Sequence, residues 1–105
     1  MNDFSNKILF DDARKIAERE AYFNLKYFMS SDVEGVLSDT FIEGKNCWMF
    51  FRNANIIIPP EGKLRGEWAY VISKFGETRQ VADLSFDQKE LNKYLIKMSN
   101  YFEKN

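Results

Sequence analysis

The sequence predicts a single α+β domain, residues 1–105, with an N-terminal helix, a three- to four-stranded antiparallel sheet and a C-terminal helix. Three observations support this prediction. Apolar residues recur at helical spacing over residues 11–29 and again over residues 91–102. Between these segments, short β-prone runs alternate with turn residues. The length of 105 residues and the 45% hydrophobic content are sufficient for one core, and no linker or internal repeat divides the chain.

The first helix is predicted over residues 11–29. Asp11 and Asp12 suit its cap and first turn, because carboxylates are favoured beside the free backbone N–H groups at a helix start. Residues 30–32 indicate a loop, although no glycine marks the end of the helix. The residues at near-helical spacing are Ala13, Ile16, Ala17, Phe23 and Tyr27.

A β-hairpin is predicted next. Residues 36–42 are β-prone, residues 44–46 form the turn, and residues 47–51 form the second strand. The second strand has apolar side chains on both faces, which is typical of a central strand covered on both sides. Cys47, Met49 and Phe51 lie on one face, and Trp48 and Phe50 lie on the other.

The second half of the predicted sheet follows a proline-containing loop. Residues 56–58 run into two prolines, which lack N–H donors, so this segment is at most a short edge strand. A loop to Gly66 follows. Residues 68–73 form the next predicted strand, and residues 74–77 turn the chain into a strand near residues 78–84.

The closing helix begins at a capping signal. Ser85 precedes Gln88 by three residues, which is the spacing of a capping box. An apolar stripe at helical spacing follows, so we expect this helix to cover one face of the sheet. The stripe consists of Leu91, Tyr94, Leu95, Met98 and Phe102.

The sequence lacks the usual equipment of an enzyme. It contains no histidine, so mechanisms that need imidazole are absent from this chain. The single cysteine, Cys47, lies in an apolar strand, and we expect it to be buried and structural. The carboxylate pairs Asp11/Asp12 and Asp83/Asp87 lie at predicted helix starts, where capping explains them, and no glycine-rich phosphate loop occurs. We therefore expect no enzymatic activity, no metal and no cofactor.

The composition also predicts the environment of the protein. One unpaired cysteine favours a reducing compartment, and residues 1–10 lack the features of a signal peptide. No window approaches the roughly 20 apolar residues of a membrane span. The net charge of -1 gives no general attraction to nucleic acid. We expect a cytoplasmic protein, monomeric or weakly dimeric, with neither a membrane nor a nucleic acid as its partner.

The charges are unevenly distributed. No basic residue occurs between Lys26 and Lys45, whereas four acidic residues do, so the loop and first strand form an acidic stretch. Such a stretch near aromatic side chains suits the binding of a basic protein partner, although a solvated acidic face is the more common explanation of it. The candidate contact residues are Asp32, Glu34, Asp39, Glu43, Trp68 and Tyr70.

The pattern over residues 47–102 resembles a known family. A Cys47-Trp48-Met49-Phe50-Phe51 strand, a proline-containing loop, the run at residues 69–76 that ends in glycine, and Leu91 with Tyr94-Leu95 in a closing helix carry this resemblance. The chain is similar to the small immunity proteins of bacterial polymorphic toxin systems, including contact-dependent growth inhibition. The resemblance implies an α+β fold, no enzymatic activity, no cofactor and tight binding to a cognate C-terminal toxin domain.

The resemblance carries over no binding residue. If the toxin is a nuclease with a basic cleft, the four acidic residues would occupy that cleft as phosphate mimics and so block the active site. The alternative is a small ligand-binding or regulatory module in which Trp48, Trp68 and Tyr70 line an apolar pocket. An enzyme that uses carboxylates, lysine and tyrosine is the third hypothesis.

Overall fold

The computed structural model describes residues 7–29, 34–62 and 68–103. It has the predicted α+β fold, with a helix on each side of a four-stranded sheet. Helix α1 is continued by a short 3-10 turn, and a second 3-10 turn, Pro60–Gly62, precedes the third strand. The elements are α1 (Phe10–Leu25), β1 (Leu37–Glu43), β2 (Cys47–Arg52), β3 (Trp68–Ser73), β4 (Thr78–Ala82) and α2 (Gln88–Glu103).

The sheet is antiparallel, with the strands in the order β1-β2-β3-β4. Phe50 on β2 lies opposite Phe41 on β1 and Tyr70 on β3, and an irregularity in β1 separates Leu37 from Phe41. Residues 56–58, which we expected to be at most a short edge strand, lie outside the strands because the prolines that follow supply no ladder donors. The predicted loop at residues 63–66 lies outside the described residues.

Strand β2 divides the apolar side chains into two layers, as its sequence predicts. The odd-numbered residues Cys47, Met49 and Phe51 pack under α2, and the even-numbered residues Trp48 and Phe50 pack under α1. Phe10, at the start of α1, contacts three aromatic rings of β1 and β2. Their ring centroids lie 4.6 Å (Phe41), 5.9 Å (Trp48) and 5.6 Å (Phe50) from that of Phe10.

Helix α1 covers the sheet with small side chains. Its buried residues recur every four positions and are Ala13, Ala17, Ala21 and Leu25. The predicted stripe is therefore wrong at Phe23 and Tyr27, whose side chains are 72% and 70% exposed. The helix ends at Leu25, before the predicted end at residue 29, because the chain tightens into the 3-10 turn Lys26–Phe28. Asp11 and Asp12 lie in its first turn, as predicted.

Helix α2 starts at a cap different from the predicted one. The Asp87 carboxylate accepts hydrogen bonds from the backbone N–H groups of Lys89 and Glu90 at 3.1 and 3.2 Å. Ser85, the predicted cap, lies further upstream in a turn, where its N–H donates to Asp83 at 2.9 Å. The apolar stripe is confirmed, with its members buried or partly buried under the sheet: Leu91, Tyr94, Leu95, Met98 and Phe102.

The other end of α2 is held against the β1–β2 turn. The Ser99 hydroxyl accepts a hydrogen bond from the Asn46 backbone N–H at 2.7 Å, and the Ser99 carbonyl accepts one from the Asn46 side chain at 3.0 Å. A Cβ atom at Gly44 would lie 3.3 Å from Leu95 and Ser99. The close approach therefore favours glycine in this turn, because a larger residue would displace the side chain of Leu95 or Ser99 by a few tenths of an ångström. Among the described helices, none is long and apolar enough to cross a membrane.

The cap assignment is testable. Replacing Asp87 with alanine leaves two helical N–H groups without their acceptor, so we expect the free energy of unfolding to fall by about 0.5–2 kcal/mol. The Ser85→Ala variant should change it by less than about 0.5 kcal/mol. Urea denaturation followed by circular dichroism measures both changes. A larger loss of stability for the serine variant would show that Ser85 caps the helix, as the capping box predicted.

Candidate protein-binding surfaces

The three acidic candidates that the structure describes lie just before or on β1, an edge strand of the sheet. Glu34 is exposed before β1, and Asp39 is fully exposed on β1 itself, where its carboxylate lies 4.0 Å from the guanidinium of Arg14. Glu43 lies at the far end of the same strand, about 13 Å from Asp39 at the usual rise per residue. Asp32 lies outside the described residues. The structure therefore places Glu34 and Asp39 at one end of β1 and Glu43 at the other.

Glu43 is engaged within the fold. Its carboxylate forms an ion pair with Lys74, which follows β3, and the Lys74 ammonium also lies 5.1 Å from the centroid of the Trp48 ring. This contact ties the end of β1 to the β3–β4 turn. Because the cation of Lys74 already balances its charge, Glu43 is less suited than Asp39 to bind a basic partner.

The two predicted aromatic contact residues lie on β3. Tyr70 is fully buried, and its hydroxyl accepts a hydrogen bond from the Asn24 side chain at 3.2 Å. Burial raises the pKa of Tyr70. The assignment of Tyr70 to a contact surface is therefore corrected, because the side chain points into the core under α1. Trp68 is partly buried against the same core.

The aromatic residues predicted to line a ligand pocket are also part of the core. Trp48 and Tyr70 are buried together under α1, with Trp68 packed against them. A cavity of about 650 Å³ lies elsewhere, between the β3–β4 turn and the end of α2. Its lining includes Phe75, Glu77 and Glu103.

Cys47 is buried, as predicted, on the α2 side of β2. Burial raises the pKa of the Cys47 thiol to about 11, against smaller opposite effects from the Ser99 hydrogen bond and the charge of Lys74. A thiol that is neutral and enclosed at neutral pH is a poor nucleophile. The described residues contain no group of three or more His, Cys, Asp or Glu side chains that could hold a metal ion.

A surface that the sequence patterns did not indicate lies on α1 and the turn that follows it. Tyr22, Phe23 and Tyr27 are 55%, 72% and 70% exposed. The Lys26 ammonium lies 5.5 Å from the Phe23 ring centroid and 5.2 Å from that of Tyr27. Large exposed aromatic side chains close together are uncommon on a protein without a binding role. We call these four residues the aromatic face.

One sequence signal could have revealed this face. Alanines recur every four residues at positions 13, 17 and 21, and Leu25 continues the series. When this stripe packs against the sheet, Tyr22 and Phe23 point outward. They follow Ala21 by one and two residues and therefore lie on other sides of the helix. The prediction instead gave more weight to the hydrophobicity of the aromatic residues than to the regular spacing of the alanines.

The fold and these surfaces define an α+β protein with an acidic edge strand and an exposed aromatic face. No family model, curated protein or solved structure matches the chain.

The state of Cys47 gives a direct prediction. With the pKa at about 11, on the order of one thiol in a thousand is ionised at about pH 8, compared with about one in ten for an ordinary thiol. We therefore expect the folded protein to react at least about 100-fold more slowly with Ellman's reagent than the same protein in denaturing urea. Equal rates in the two states would show that Cys47 is accessible.

Proposed function

We propose that this protein is an immunity protein, which binds the cognate toxin domain of a bacterial polymorphic toxin system in the cytoplasm and neutralises it. The proposed toxin is a nuclease, and the proposed mechanism is that the bound protein covers its active site. The resemblance over residues 47–102 supports the class of protein. The two solvent-facing surfaces support action by binding.

The observation that carries this proposal is the aromatic face. Tyrosine, other large aromatics and cationic side chains dominate the energetics of many protein interfaces, because they bury much area for few rotatable bonds. Tyr22 and Phe23 point outward on a helix whose opposite side is fixed in the core, and Tyr27 is exposed in the 3-10 turn that follows it. A partner that covers them gains this burial without ordering the backbone first.

The size of the protein is compatible with the affinity that neutralisation requires. An inhibitor that keeps nearly all of a toxin inactive needs about nanomolar affinity, near -12 kcal/mol. A standard interface of about 800 Å² per partner would use about one ninth of the 6993 Å² of accessible surface. This protein can therefore present such an interface and still keep both apolar layers covered.

The acidic strand supplies the complementary charge for a nuclease. Active clefts that bind a phosphate backbone are basic, so Glu34 and Asp39 would attract and orient such a cleft. Glu43 contributes less, because Lys74 pairs with it. The proposal therefore assigns steering to the start of β1 and most of the binding free energy to the aromatic face.

The first prediction concerns Phe23. We expect the Phe23→Ala variant to bind the cognate toxin domain of the proposed function about 30-fold more weakly than the wild type, a loss of about 2 kcal/mol. Ile96→Ala is the matched control, because Ile96 is 62% exposed on α2, on the other side of the sheet. Isothermal titration calorimetry measures both affinities, and equal affinities for the two variants would remove the aromatic face from the interface.

The second prediction concerns the acidic strand. We expect Asp39→Lys to lower the association rate with the toxin domain about tenfold at low ionic strength, and the difference to shrink as salt is added. Glu103→Lys changes the net charge equally at the end of α2 and should stay within about twofold of the wild type. Stopped-flow fluorescence gives these rates. An unchanged rate for Asp39→Lys would exclude steering by this strand.

A further inference from the structure

The aromatic face belongs to a larger surface that is positively charged. Lys15 and Arg19 are exposed on α1 at the four-residue spacing that leads to Phe23, and Lys26 lies seven residues beyond Arg19. All three cations therefore project from the outward side of the helix, opposite the buried alanines. They extend over about 16 Å at the helical rise per residue.

Few acidic groups compensate these cations on the same side of the helix. Asp11 and Asp12 are exposed in the first turn, four and three residues before Lys15, so they offset the charge of Lys15 but lie at the far end from the aromatic rings. Glu18 lies 3.7 Å from Arg14, on the flank that faces β1. Glu20 is half-buried rather than exposed. The part of the outward side next to the aromatic face, with Arg19 and Lys26, therefore has the opposite sign to the exposed edge of β1.

We propose that the outward side of α1 docks onto an acidic surface of the toxin domain, distinct from the basic cleft that the β1 carboxylates would address. This inference rests on the proposed function and identifies the chemistry of the partner at the aromatic face. Charge complementarity supports it, because three exposed cations beside three exposed rings match a surface that carries carboxylates around an apolar centre.

Lys26 has a particular place in this surface. Its ammonium lies within cation–π distance of both Phe23 and Tyr27, so the two rings and the charge form one unit before any partner arrives. A carboxylate of the partner that approaches Lys26 would reach the centre of the aromatic face. The restricted motion of these side chains reduces the entropy lost on binding.

A nucleic acid is the less suitable occupant. A strand that followed the cations along α1 would run past Asp11 and Asp12 at one end. The net charge of the whole chain, -1, gives no attraction to a phosphate backbone at long range. An acidic protein surface of limited extent needs only the local charge.

The test measures association with the toxin domain by stopped-flow fluorescence over a range of salt concentrations. We expect the full-length double variant Lys15→Glu/Arg19→Glu to associate about tenfold more slowly at low ionic strength, and Asp12→Lys, on the same helix, to associate faster than the wild type. Lys97→Glu, at an exposed site on α2, is the matched control and should stay within about twofold.

Three outcomes would overturn the inference alone, and a fourth would overturn the proposed function with it. If the double variant associates at the same rate as the Lys97→Glu control, α1 does not contact a charged surface. The proposed function would still be supported, because the complex with the toxin domain forms. Faster association of the double variant would show that α1 meets a basic surface. Tight binding of a single-stranded RNA oligonucleotide by the wild type, lost in the double variant, would assign the surface to nucleic acid. If the wild type does not bind the toxin domain, the proposed function falls and the inference falls with it.

Discussion

The fold depends on the fact that strand β2 is apolar on both faces. Met49 on one face and Phe50 on the other are both fully buried, and each needs its own covering layer. Each such side chain contributes about 1.5–3 kcal/mol when it is removed from water, so neither face can remain open. The covering helices come from opposite ends of the chain, α1 before the sheet and α2 after it. The protein therefore completes both apolar layers only when the whole chain has folded.

The packing of α1 on the sheet determines which of its side chains are exposed to solvent. Ala13, Ala17 and Ala21 have little volume, so the large side chains of β2 and β3 fill most of the layer between the helix and the sheet. Large side chains on the opposite side of this helix, such as that of Phe23, are then exposed to solvent. A helix held in this way is a rigid support, and rigidity lowers the entropic cost of binding.

Most of the fold could be predicted from local patterns. The strand at residues 68–73 has the predicted bounds, and the alternation within residues 47–51 correctly gave a central strand covered on both sides. These features depend on side-chain periods within a few residues. The side of α1 that packs on the sheet and the location of the Tyr70 side chain were predicted wrongly. Both depend on which side of an element meets a distant part of the chain, and hydrophobicity alone ranks a phenylalanine above an alanine for that contact.

The charges illustrate the same limit at the candidate site. The sequence shows Glu43 within an acidic stretch, but its pairing with Lys74 brings together residues 31 positions apart. Exposed carboxylates likewise lie on β1, whereas the exposed cations Arg19 and Lys26 lie beside the aromatic face, a property that the net charge of -1 conceals. On the proposed function, a partner must match both signs in the correct relative orientation. A protein with a basic cleft and no acidic surface would match the carboxylates of β1 but leave the cations beside the aromatic face without a partner. The two surfaces together therefore select the cognate toxin domain more strictly than either one alone.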